Sequence, residues 1–197
     1  MRTAIAIATT ALLCPLIVAA QGTWTRQPTE VMGVRLGAPL ESAGIQPCAA
    51  SSAEPGRLST STLCYRPLAT PDRPARREQT FYAVHNAPDL GASDQRVFLD
   101  VAYGRVVGIL LTGASTGFDK AVTVLEARYG PAMETTRATS YGPTASTKVW
   151  RGDKVTLEAI SPFGRADEYA VYWTDLAAQA QKEGQIARES ARIASKL

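Results

Sequence analysis

The chain has 197 residues, 45% of them hydrophobic and 20% charged, with 21 Lys and Arg against 18 Asp and Glu and a single His. That composition is ordinary for a globular protein and excludes a disordered or low-complexity chain. A formal charge of +3 is too small for the strongly basic face that nucleic-acid binding needs, so no nucleic acid is expected as a partner.

At the N-terminus, Met1-Arg2-Thr3 is a short basic start, and Ala4 to Val18 follows without a charge. Val18-Ala19-Ala20 then places small residues where a signal peptidase reads, ahead of polar Gln21 and Gly22. The run is shorter than the roughly 20 apolar residues that span a bilayer, and Thr9 and Thr10 break it. Residues 1–20 are therefore expected to be a signal peptide, leaving a periplasmic or secreted chain with no transmembrane segment. Cys14 follows bulky Leu12-Leu13 and precedes Pro15, a departure from the lipidated-cysteine pattern. Cleavage reduces three cysteines to two, Cys48 and Cys64. In an oxidising compartment these should bond to each other, closing a loop of about 15 residues for roughly 3 kcal/mol. A redox pair is the alternative, but C-x-x-C spacing is missing.

Residues 21–30 should be an extended leader, 31–175 a single domain and 176–197 a helical tail. Val31 to Gly37 reads as a strand, Pro39 can open a short helical turn, and Gly44 and Pro47 end it. Residues 66–78, rich in Pro and Arg, read as a solvated loop, with anion binding by Arg66, Arg73, Arg76 and Arg77 the minority reading. Thr80 to His85 is a strand. Val97, Leu99, Val101 and Tyr103 alternate along a second one, and Gly104-Arg105 reverses the chain into Val106–Leu111, whose apolar character on both faces predicts a central position.

Phe118, Val122, Leu125 and Tyr129 make one apolar stripe, so Thr116 to Tyr129 is predicted helical. Thr116-x-x-Asp119 resembles a capping box, and Gly130-Pro131 stops the helix. Strands follow at about 144–150, 154–160 and 168–174. From Asp175 onward helix formers dominate, with Gly184 as a weak point and a thin apolar stripe of Leu176, Ala180, Ile186, Ile193 and Leu197. The order predicts an α+β fold: a mostly antiparallel sheet with one packed helix and a peripheral C-terminal helix.

Chemistry-bearing motifs are sparse. Gly113-Ala114-Ser115-Thr116-Gly117 matches G-x-S-x-G between an apolar strand and a helix, the setting of a nucleophile elbow. That machinery needs a His after the Ser, and His85 lies thirty residues before it. The same segment fails the P-loop spacing. A lone His and two bridged cysteines leave no metal-ligand set, and no cofactor pattern appears. No spacing pairs two carboxylates for glycoside hydrolysis. Arg151-Gly152-Asp153 spells an integrin tripeptide but sits where a hairpin needs a turn. Trp150 and Trp173 lie in strands, where core packing competes with a binding surface.

Gly33-Val34-Arg35-Leu36-Gly37-Ala38-Pro39-Leu40, followed by the Cys48 and Cys64 pair, resembles a group of small exported bacterial proteins of unknown function. These open with G-[V/I]-x-L-G-x-P-L and carry a helix ending in Tyr-Gly-x-Pro; here the helix closes on Tyr129-Gly130-Pro131, one residue shorter. The resemblance implies export and an α+β fold and no activity. Together these readings predict a non-enzymatic binding or accessory protein acting through contacts with another envelope protein. Ile186, Ile193, Leu197, Trp150 and Trp173 are the candidate contact residues. A secreted inhibitor or immunity-type protein is the alternative, and a serine hydrolase using Ser115 the second.

Overall fold

The apolar alternation along 97–111 lays out the middle of the molecule. The computed structural model describes residues 24, 26–49, 61–68, 79–90, 94–139 and 142–195; the expected signal peptide, the Pro/Arg segment from residue 69 to 78 and Leu197 lie outside them. β1 (Glu30–Val31) and β2 (Val34–Arg35) form a small hairpin, followed by β3 (Gln46–Pro47), β4 (Cys64–Pro67), β5 (Gln79–His85), β6 (Arg96–Ala102) and β7 (Arg105–Ala114). Then come α1 (Phe118–Tyr129), β8 (Met133–Thr139), β9 (Gly142–Arg151), β10 (Val155–Ser161), β11 (Glu168–Asp175) and α2 (Leu176–Ala194).

Nine strands make one sheet in the order β3-β4-β5-β6-β7-β11-β10-β9-β8. Every neighbouring pair is antiparallel except β3 with β4. The fold is therefore α+β, and β7, apolar on both faces, is the fifth of nine strands, as its composition requires. Tyr103 and Gly104, at φ of 50° and 76°, turn β6 into β7.

One face of the sheet carries the main core. Val97, Leu99 and Val101 of β6, Ile109 and Leu111 of β7, and Tyr169, Val171 and Trp173 of β11 all point there. α1 lies on them through Phe118, Ala121, Val122, Leu125 and Tyr129. Its apolar stripe was legible, but its start was not. A 3₁₀ turn over Ser115–Gly117 precedes it, Gly117 is the N-cap and no side chain caps the helix. The Thr116 cap expected from sequence is corrected accordingly: the tight turn carries Thr116 away from the position whose hydroxyl would meet the first amides. The leader closes the core, with the Trp24 indole edge-on to Tyr129 at 5.5 Å and donating to the Tyr129 carbonyl at 3.2 Å.

Val31 to Gly37 is not one strand. Met32 and Gly33 both take positive φ, 53° and 84°, and fold it into the β1–β2 hairpin. The following Gly37–Leu40 has a separate task. β11 pairs with β7 only as far as Thr174 opposite Gly108, and beyond that point residues 37–40 take its place. Gly37 N–H donates to the Val106 carbonyl (2.8 Å), Val106 N–H to Ala38 (2.9 Å), and Leu40 N–H to Gly104 (2.8 Å). Gly37, at φ +70°, abuts Asp175 so closely that a Cβ would lie 2.7 Å from Oδ2. Asp175 cannot give way freely, because its Oδ1 caps α2 by accepting from Ala178 N–H at 2.8 Å. Gly37→Ala should therefore cost about 1–3 kcal/mol in urea unfolding. Gly104→Ala has a similar φ of +76° with open space around it and should cost less; equal losses would mean that the Asp175 contact contributes nothing.

Cys48 and Cys64 are bonded to each other with Cα atoms 4.8 Å apart. The bridge ties the chain leaving β3 to the start of β4, one edge of the sheet.

Candidate functional site

The opposite face of the sheet holds the one buried charged cluster among the described residues. Alternation along β6 turns Phe98, Asp100 and Ala102 away from the core, and along β11 it turns Ala170, Tyr172 and Thr174 the same way. A bulge leaves Val107 unmatched between the pairs Asp100–Gly108 and Val101–Val106, so Val107 joins this second face. Gly108 stands between Asp100 and β11. A Cβ there would lie 2.6 Å from the Trp173 carbonyl oxygen and 2.9 Å from the Tyr172 hydroxyl, so the bare backbone is what allows Tyr172 to reach Asp100.

The Tyr172 hydroxyl donates to Asp100 Oδ2 at 2.8 Å, and Lys182 Nζ of α2 donates to the same oxygen at 3.1 Å. The side chains of Asp100 and Lys182 are 3% and 11% exposed. Burial, and then the negative charge of the Asp100 carboxylate that accepts its hydrogen bond, push the Tyr172 hydroxyl well above the ordinary tyrosine range. Burial also raises Tyr129 and Tyr169. A proton held more tightly in the folded state gives stability that is complete below the unfolded pKa near 10 and is lost above it. Stability should therefore fall as pH rises past about 10, by about 1.4 kcal/mol per unit for each tyrosine that stays protonated. Chemical denaturation at pH 9 and 11 checks this, and Tyr172→Phe should flatten the decline.

α2 sits over this cluster on a stripe different from the expected one. Ala178 is buried and Lys182, Gln185, Ile186 and Glu189 are half-buried, while Ala180 is exposed and Ile193 is 61% exposed. The spacing of 178, 182, 185 and 189 follows the helical repeat, but two charges and an amide occupy it. Sequence reading overlooked the stripe because a search for apolar periodicity cannot find Lys182 and Gln185 facing inward.

Two adjoining open clefts lie at one end of the sheet, the first over the start of β6, the end of β7 and the start of β11, the second along β5 and β6. One, of about 440 Å³, is lined by Asp94, Arg96, Arg165, Asp167 and Glu168. Four of these five charges pair with one another, Arg96 with Glu168 at 2.6 Å and Arg165 with Asp167 at 3.3 Å. The adjoining cleft, of about 640 Å³, runs along His85, Asn86, Asp89 and Phe98 and shares Asp94 and Arg96. Ser115 lines neither; its N–H donates to the Asp167 carbonyl at 2.8 Å. His85 stands on β5 opposite Cys64, with β6 between it and the strand that leads to Ser115. Ser115, in the 3₁₀ turn after β7, and His85, on β5, thus have β6 between them in the sheet order. No group of three or more His, Cys, Asp or Glu side chains that could hold a metal ion occurs among the described residues.

The other sequence-derived candidates divide. Trp150 and Trp173 are 3% and 1% exposed and belong to the main core; Trp150 Nε1 donates to the Gly130 carbonyl at 2.7 Å. Their strand registers aim both indoles at the α1 side, so neither offers a contact surface. Ile186 is half-buried, Ile193 is exposed, and Leu197 lies outside the described residues. At Arg151-Gly152-Asp153, Gln27 of the leader holds the turn. Its side-chain amide donates to Asp153, whose carboxyl it pulls below the usual range, and its carbonyl accepts from Lys154 and Val155 N–H at 2.8 and 3.0 Å. No helix among the described residues is long and apolar enough to cross a membrane. Comparison with known protein families, curated proteins and solved structures finds no match for this chain.

Proposed function

We propose that this chain is an exported binding or accessory protein of the bacterial envelope that acts through protein–protein contact, without chemistry of its own. The observation that carries this reading is α2: nineteen residues long, it buries one of them, Ala178, and its last turns end on Ile193 at 61% exposure. A helix that rests on the domain at one end and presents an apolar side chain at the other is the arrangement of a helix that fills a partner's groove. The disulfide fits an oxidising, extracytoplasmic setting. The partner is another envelope protein on this reading.

The test compares the full mature chain with one ending at Glu189, which keeps Lys182 and Gln185 but removes Ile193. Melting should be unchanged while crosslinking to the envelope partner is lost; crosslinking that survives both this truncation and Ile193→Asp would refute α2 as the contact. A secreted inhibitor is the rival and would show stoichiometric inhibition of cell-wall hydrolases. A hydrolase would be labelled at Ser115 by a fluorophosphonate, an outcome disfavoured by the separation of Ser115 from His85.

A further inference from the structure

α2 is held to the sheet by unusual means. Its apolar attachment is a satellite cluster of Ala102, Val107 and Ala178 with Tyr103 alongside, separate from the main core. Alanine and valine contribute little area to such a contact, and hydrophobic stabilisation scales with area. The rest of the interface is polar: the Lys182–Asp100 pair at 3.1 Å, the Tyr172 hydroxyl on the same carboxylate, and the Gln185 Oε1 atom, buried without a hydrogen-bond partner. Taking two charges out of water costs much of what their attraction returns, and an unpaired buried carbonyl is a further cost. All three groups regain water if the helix lifts. Lifting therefore sacrifices a small apolar contact and relieves two desolvation penalties. The main core, on the other face, is untouched by it. Gly184 lowers the helix's own propensity in the same stretch.

We propose that α2 is a releasable strap: beyond its capped first turn it opens from the second sheet face as a unit, without unfolding the domain, and Lys182 on Asp100 is the latch that sets how often it opens. Opening uncovers Asp100, Val107, Gly108 and Tyr172 and frees the whole inward stripe of the helix. The latch concerns how the helix is attached, and it holds whether or not the far end of α2 meets a partner.

Native-state hydrogen exchange on the mature chain, read by mass spectrometry of its peptides, tests this without any ligand. In the wild type, amides from Gln179 to Ala194 should exchange together and at least tenfold faster than those of β7 and β11. Lys182→Met, which takes the cation away from the Asp100 carboxylate, should speed α2 at least another tenfold and leave α1, β7 and β10 unchanged, and Asp100→Asn should act in the same direction. Asp100→Leu combined with Lys182→Met, which replaces both charges by apolar groups, should slow α2 to the wild-type rate or below. Three results would each overturn the proposal: α2 and β7 exchanging at one rate in the wild type, a single variant that speeds every element equally or leaves α2 unmoved, or a double variant as fast as Lys182→Met.

Discussion

Replacing Trp173 by alanine should cost about 3–5 kcal/mol, the range for emptying a large aromatic site in a packed core. The side chain is 1% exposed, on the penultimate pair of β11, and shares its cluster with Leu99, Ile109, Leu125 and Val171. Those residues come from three strands and a helix, so collapse into the vacated volume would have to move four elements at once. For a domain of this size each kcal/mol is worth roughly 2–4 °C in melting temperature, so thermal melting should fall by about 6–20 °C. A surface tryptophan would cost little, and a loss below about 1 kcal/mol would show that the indole is not a core residue.

Opening the disulfide should give the next largest loss, about 3 kcal/mol for a loop of this length in the chain-entropy account. Cys48 and Cys64 are 16 positions apart. The bridge holds β3, whose two residues are both exposed and which pairs only through Gln46 and Pro47. Denaturant titration with and without reductant, and of the Cys48→Ser/Cys64→Ser variant, should give the same loss. Equal stability in both states would mean that the denatured chain is already compact around this loop.

Much of the sheet was legible because its strands have one dry face. Leu99, Val101, Ile109 and Leu111 recur at every second position because all four face the core while the residues between them face the other side of the sheet. β8 was missed for the converse reason. Met133, Glu134 and Thr135 are all exposed on the outermost strand, and three successive exposed positions have no alternation to read. The β1–β2 hairpin was missed because its turn rests on Met32 at positive φ, a conformation that an unbranched apolar residue rarely takes.

The candidate site was the least legible part. Lys182 and Asp100 are 82 residues apart, and their meeting depends on the β6–β7–β11 register, the bulge at Val107 and the direction in which α2 leaves Asp175. Each follows from packing, and none from local propensity. The alternation did place Asp100 on the face away from the core. A lone carboxylate between Phe98 and Ala102 was the signal that a cation had to come from elsewhere in the chain.

The leader's partners also set an order of events in folding. Trp24 bonds to carbonyls of Tyr129 and Arg151, Gln27 to residues 153–155, and Gly37 lies against Asp175. A chain that emerges from its N-terminus first must therefore keep its earliest residues unpaired until nearly the last strand is out. Contacts this distant in sequence are closed late and slow the search. Until then the core beneath α1 lacks its lid of Trp24 and exposes Tyr129, which makes the interval between emergence and closure a period of vulnerability to proteolysis and misassociation.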